Sequence, residues 1–276
     1  MLFIDAHVHI YNGFPLQNLF EVAQSNFLKY TAKFRSTVSG LTHQNVLIVT
    51  RSTSEKELGQ IIFGRDSGYA IEGAWYFKKT AERDSVVAQR KDGYEIIVVA
   101  GSQIVTQEKI EVLVLACGKI YPDGLALNDL LTMIENDGHI AVLPWGFGKW
   151  WGRRGQIVDA AIQFYGSRRG FFLGDNAGRT SWLPYPRQFK IARERNIAIL
   201  PGSDPFPFKN SYVKIGTFGF CVDGQLSHQQ PAQDLQDILY QSEPHAISCF
   251  GQLTSVLRFS INQVLIQLKN KALHFI

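Results

Sequence analysis

From residue 110 onward, short apolar runs alternate with amphipathic stretches, and this order limits the possible folds more than any other feature. Residues 110–116, 140–143, 170–173 and 196–200 read as strands. Residues 125–136, 156–165 and 187–195 read as the helices between them. Strands joined through helices imply parallel neighbours, because a parallel pair needs a long crossover. Upstream, residues 3–10, 45–50, 70–80, 85–90 and 94–100 add strands, with a tight turn at Lys91-Asp92-Gly93. Residues 16–33 read as an amphipathic helix, 53–64 as a short helix and 252–271 as a long C-terminal helix. The predicted fold is α/β, a distorted TIM-type (β/α)7-8 barrel. It is expected to form one domain over residues 1–276, with a C-terminal helical extension at about 250–272. Residues 210–248 show no clear pattern.

In such a barrel, chemistry sits where strands end. The first strand runs into Asp5-Ala-His7-Val-His9. Residues two apart on a strand share a face, about 7 Å apart along the backbone, so His7 and His9 project together. Two imidazoles on one rigid element make half a metal site. The strand at 196–200 stops at Pro201-Gly-Ser-Asp204-Pro205, which offers a carboxylate. Trp145 and Asp175 also fall at strand ends.

Charge is unevenly placed. The whole chain carries +4, yet residues 149–193 hold nine basic and two acidic residues. Four of the five tryptophans, Trp145, Trp150, Trp151 and Trp182, lie in or just before that segment. This favours an anionic partner. No nucleic-acid-binding module is visible, so a small anion such as a phosphate ester or carboxylate is expected. Apolar residues make up 45% of the chain, but no run of eighteen could span a membrane. The N-terminus lacks the pattern of a signal peptide, and Cys117, Cys221 and Cys249 are far apart without a CxxC. A cytoplasmic protein without a disulfide framework is expected.

The loop Trp145-Gly-Phe-Gly-Lys149-Trp150-Trp-Gly-Arg153-Arg154-Gly155 follows a strand and precedes a helix. Its glycines allow close backbone approach, and Lys149, Arg153 and Arg154 suit phosphate or carboxylate. The helix start near Gly155-Gln156 adds free N–H groups, and Trp150 and Trp151 could stack on a ring. The alternative is a loop whose tryptophans cap the barrel. Asp175, Asn176 and Arg179 form another strand-end loop, which faces the pocket or closes as an Asx-turn.

Ile4-Asp5-Ala6-His7-Val8-His9 resembles the opening motif of the PHP (polymerase and histidinol phosphatase) family and, more broadly, of amidohydrolase-like metal-dependent hydrolases. Gly101-Ser-Gln103-Ile-Val-Thr106 followed by Glu111-Val-Leu-Val-Leu115 is similar to the family's Gly-x-Glu-Ile-Thr and Glu-Val-His-x-Leu. Leu143-Pro-Trp145 and Gly202-Ser-Asp204-Pro-Phe206 resemble its His-Pro strand end and its Gly-Ser-Asp-Ala-His. Histidine is missing at Ser52, Leu113, Trp145 and Phe206, and Gln103 stands at the bridging glutamate. The resemblance implies a PHP-like barrel with a reduced, mononuclear site. His7, His9 and Asp204 would hold one Zn, Mn or Fe ion, with Asp204 or Asp175 as the base. Lys149, Trp150, Arg153, Arg154, Asn176, Arg179, Gln103 and Trp145 would line the substrate site. The implied activity is a phosphoesterase. Two alternatives stay open: an ion-free, catalytically silent barrel binding an anion through the Trp/Arg loop, and an amidohydrolase-type C–N or C–C bond enzyme.

Overall fold

The computed structural model describes residues 1–37, 42–52, 62–63, 71, 73–166 and 168–273. Most of the helix expected at 53–64, and parts of the strand expected at 70–80, lie outside these residues. The elements are β1 (Leu2–Val8), α1 (Leu16–Thr37), β2 (Gln44–Arg51), β3 (Trp75–Lys79), β4 (Ser85–Arg90), β5 (Glu95–Val105) and β6 (Glu111–Leu115). They continue with α2 (Leu127–Asn136), β7 (Ile140–Pro144), α3 (Arg153–Tyr165), β8 (Phe171–Asn176), α4 (Arg187–Glu194) and β9 (Ile199–Gly202). A 3-10 turn (Ser211–Lys214), β10 (Phe218–Val222), α5 (Pro231–Gln241), a second 3-10 turn (Pro244–Ala246), β11 (Ser248–Gly251) and α6 (Val256–Leu273) complete the chain.

The described strands form one sheet ordered β11-β10-β1-β2-β5-β6-β7-β8-β9, with β3 and β4 beside the lower half of β5. The sheet curls into a nearly closed barrel until β9 returns to β1. There the backbone N–H of Asp204 donates to the carbonyl of His7 at 2.8 Å. Gly202 permits this approach, since a Cβ on it would lie 2.4 Å from the His7 nitrogen.

Strands β1, β2, β5, β7, β8 and β9 run one way, but β6 is antiparallel to both its neighbours. The parallel sheet expected from residue 110 onward therefore begins only at β7. Strand β5 runs on to Val105 instead of stopping at residue 100. A tight hairpin turns it into β6, with Lys109 at φ 61° and the Thr106 N–H donating to the Ile110 carbonyl. The reversal puts the N-terminal end of β6, Glu111, at the same rim as the C-terminal ends of the parallel strands.

Alternation fixes which side chains enter the barrel. Ile4, Ile48, Val99, Leu113, Val142, Phe172, Leu200 and Phe220 pack together inside, and Ala232, Leu235 and Leu239 of α5 plug the end opposite the rim. The other strand faces pack on helices: Leu143 and Leu173 under α2–α4, and Leu47 and Val98 under α1. Helix α2 shows why these helices form. It buries Leu127, Leu130, Leu131 and Ile134 at helical spacing, each contributing about 1.5–3 kcal/mol. It ends at Gly138, whose φ of 72° suits a C-cap. The C-terminal extension is a short strand, β11, followed by α6. Among the described residues no helix is long and apolar enough to cross a membrane.

Candidate metal centre

The predicted triad converges. The register of β1 against β2 shifts between Asp5 and Val8, so the end of β1 departs from regular alternation. The Nε2 atoms of His7 and His9 come within 2.9 Å of each other. Asp204 Oδ1 lies 3.8 Å from His7 Nε2 and 3.9 Å from His9 Nε2. Gln103 Oε1 stands 3.2 Å from His7 Nε2. Ligand atoms around a tetrahedral ion with bonds near 2.0–2.1 Å are about 3.3 Å apart, so these spacings suit one ion. His7, His9 and Asp204 are the one group of three such ligands found among the described residues.

Strand parity delivers Gln103 and Asp204. Ile97 and Val99 point inward, so Gly101 and Gln103 do too; Ala198 and Leu200 lead in the same way to Gly202 and Asp204. Asp204 takes φ 44°, an unusual backbone for a non-glycine residue, of the kind that clusters at functional sites. Asp5 holds this corner from behind. Its carboxylate accepts the Ser203 N–H at 2.7 Å, the Gly216 N–H at 2.8 Å and the His7 N–H at 3.4 Å. Burial pushes the Asp5 carboxyl up to about 7, against the pull of those donors. Asp5 therefore positions the strand ends carrying His7 and Asp204 from behind the cluster.

Burial also lowers the pKa of His7, which favours the neutral imidazole that a metal requires. Burial works the other way on Asp204, but positive charge around it, from His7 and His9 when protonated and from Lys149 and Lys214, holds its carboxyl below the ordinary range. Lys149 is ion-paired with Glu111, whose charge also bears on His7. Glu111, whose charge bears on His7, Lys214, whose charge bears on Asp204, and Arg258, whose charge bears on Lys214, were not among the expected residues. Only Glu111 had a sequence signal, the Glu-Val that opens β6. Its place at the rim depends on the reversal of that strand.

The remaining predicted residues are placed differently. Asp175 follows Leu173 on the outward face of β8. Both of its oxygens take bonds from Arg179, at 2.9 Å from Nε and 2.6 Å from the terminal nitrogen. The two residues thus pair with each other on that outward face. Asn176 closes the Asx-type loop, accepting the Gly178 N–H and donating to the Trp145 carbonyl at 2.7 Å. Trp145 and Trp150 are buried with the outer helices, where Trp150 meets Phe189 edge-on. Arg154 donates to the Gly148 carbonyl at 2.9 Å, and Arg153 is the exposed first residue of α3. That helix starts three residues earlier than expected. Of the Trp/Arg loop, Lys149 reaches the rim, while Trp145 and Trp150 pack in the helical layer and Trp151 stands exposed.

The fold and the site thus define an α/β barrel with a buried His-x-His and Asp cluster at its mouth. No protein-family model matches the chain, and no curated protein matches it. Among solved structures it is similar to PsfC from Pseudomonas syringae PB-5123, with 14% identity and a TM-score of 0.58 over 98% of both chains. That likeness shows a shared fold over the whole length. The chain also matches the lesion-specific endonuclease PfuEndoQ from Pyrococcus furiosus, with 11% identity and a TM-score of 0.47 over 89% of this chain and 57% of that one. The second similarity is too low to carry an argument.

Proposed function

We propose that this protein is a metal-dependent hydrolase acting on a small anionic substrate, a phosphate ester in the first instance. The observation that carries the reading is the convergence of His7, His9 and Asp204 on one point at the barrel rim. Two imidazoles, a carboxylate and an amide oxygen suit a borderline divalent ion such as zinc, manganese or iron. The donor set supports one ion. Leu113, at a position where the resembling family has histidine, packs inside the barrel, and Trp145 packs outside it. When bound, such an ion supplies Lewis acidity and brings the pKa of water toward neutrality.

The chain's own groups do the rest. His7 and His9 face the centre as imidazole donors, with His7 oriented by Gln103. Asp204 turns Oδ1 toward both imidazoles, which leaves Oδ2 to accept the proton of an attacking water. Asp175, bound by Arg179, takes no part. Lys149, steadied by Glu111, presents positive charge on the same side and stabilises charge developing on the substrate.

The test is elemental mass spectrometry of purified protein beside a His7→Ala/His9→Ala double variant, followed by phosphate esters and amides on the loaded protein. About one equivalent of metal, lost in the double variant, together with ester hydrolysis, is the expected result. Hydrolysis of amides alone would favour the amidohydrolase reading. No metal uptake in either sample would sink the hydrolase and leave an anion-binding barrel.

A further inference from the structure

Lys214 is the one buried cation at the mouth whose charge has no hydrogen-bonded partner. Its Nζ is shielded from solvent and, among the described residues, has no hydrogen-bond acceptor. It lies 5.4 Å from the ring centroid of Phe206, two residues beyond Asp204. The charges that bear on it are Arg258, more strongly, and Asp204; burial and Arg258 both disfavour its ammonium form.

Lys214 is held in place by its backbone. It ends the 3-10 turn Ser211–Lys214. The buried Asn26 of α1 donates to the carbonyls of Val213, at 3.1 Å, and Ile215, at 2.8 Å. Asp5 accepts the N–H of Gly216. The group that positions the metal-ligand strands therefore also fixes the turn that carries Lys214.

Arg258 arrives from the far end of the chain. After β11, Thr254 bridges to Thr180, and its N–H donates to the Arg179 carbonyl at 2.9 Å. Phe259 then meets Phe147 of the Trp/Arg loop at 5.1 Å, edge-on. This lays the start of α6 across the strand-end loops, with Arg258 on the Lys214 side.

The carboxylate that bears on Lys214 is Asp204, and two imidazoles and Lys149 already bear on it. A shielded ammonium without an acceptor is costly unless something supplies one. The missing complement is a small oxyanion rich in acceptors. We infer that Lys214 and Arg258 form the anion-binding wall of the mouth, which holds a phosphoryl group against the His7/His9/Asp204 centre, and that α6 packs over the rim to deliver Arg258. The inference rests on the proposed hydrolase site for its meaning, but it can be tested without a metal.

The experiment is calorimetric titration of inorganic phosphate into the full chain stripped with chelator, with metal uptake measured separately. The variants are Lys214→Met, Lys214→Arg and Arg258→Gln. The expected result is phosphate binding weakened about tenfold or more in Lys214→Met, the scale of one charge-assisted hydrogen bond. Lys214→Arg should restore most of it, Arg258→Gln should weaken it several-fold, and metal uptake should be unchanged throughout. The exposed Arg258 allows the test even if Lys214→Met fails to fold. Wild-type affinity in Lys214→Met and Arg258→Gln, or no phosphate binding by the wild type, overturns the inference whatever the metal result. Lysine-dependent phosphate binding in a protein that takes up no metal would uphold the wall and reject the hydrolase.

Discussion

Gly202→Ala tests the seam that assembles the site. The new Cβ would fall 2.4 Å from the His7 nitrogen and 2.5 Å from the His7 Cβ. Both contacts belong to β1 itself, so rotation of a side chain cannot relieve them. An ordinary Cβ contact begins near 3.4 Å, so β9 must retreat by about 1 Å. The Asp204 N–H to His7 carbonyl bond, 2.8 Å in the native chain, then stretches beyond bonding range. Overpacking costs about 1–3 kcal/mol and the lost bond about 1 kcal/mol, giving about 2–4 kcal/mol in all. For a chain of this size that lowers Tm by about 5–15 °C. The carboxylate of Asp204 moves away from both imidazoles, so metal affinity should fall about 10- to 100-fold, the usual effect of disturbing a ligand's support. Scanning calorimetry and a competitive metal titration read the two effects. Gly13→Ala is the control: its Cβ meets nothing within 4 Å, and its φ of 91° costs roughly 1 kcal/mol of strain without touching the site. If Gly202→Ala matches the wild type in both assays, β9 and β1 do not meet as described and the triad loses its scaffold.

Three further outcomes follow from the same geometry. Asp175→Ala should cost about 3–5 kcal/mol in chemical denaturation, because Arg179 would be left buried without its partner; metal stoichiometry should stay that of the wild type, and metal loss would return Asp175 to the site. Trp150→Ala should cost about 3–5 kcal/mol in the same assay, whereas Trp151→Ala, 64% exposed in the native chain, should shift stability by roughly 0.5 kcal/mol or less. Gln103→Glu should tighten metal binding about tenfold, since it places a carboxylate where an amide oxygen now sits 3.2 Å from His7 Nε2; weaker binding in a competitive titration would show that Gln103 does not face the ion.

The sequence revealed features written locally and hid those that depend on parity or direction. The clean apolar spacing of Leu127, Leu130, Leu131 and Ile134 marked α2. Lys91-Asp92-Gly93 marked the β4–β5 hairpin, where Gly93 takes φ 90°. His7, His9 and Asp204 were legible because each breaks from an apolar run at a strand end. Asp175 was expected in a strand-end loop, but β8 extends three residues past the expected end, so Asp175 is still on the strand, on its outward face. Glu111 depended on the direction of β6, which period-2 patterning does not encode. Lys214 and Arg258 sit in a 3-10 turn and at the start of a helix with a weakly segregated apolar face, and only the curled sheet brings the charge of Lys214 to bear on Asp204 and that of Arg258 on Lys214.

Charge at the mouth bears on the choice between a phosphate ester and an amide. Lys149, Lys214 and Arg258 supply three positive charges, and Glu111 and Asp204 two negative ones. With the two imidazoles left out of the count, these side chains leave an excess of one positive charge, which a divalent ion would raise to three. A neutral amide would leave that excess uncompensated in a partly shielded cavity, where it weakens both the ion and the unpaired ammonium of Lys214. A phosphate monoester brings close to two negative charges and several acceptor oxygens, enough to serve the ion on one side and Lys214 on the other. The reduced ligand set fits this arrangement. On the proposed reading, lysine and arginine at the rim would supply positive charge that further metal ions would otherwise provide, and a single ion would serve for a dianion.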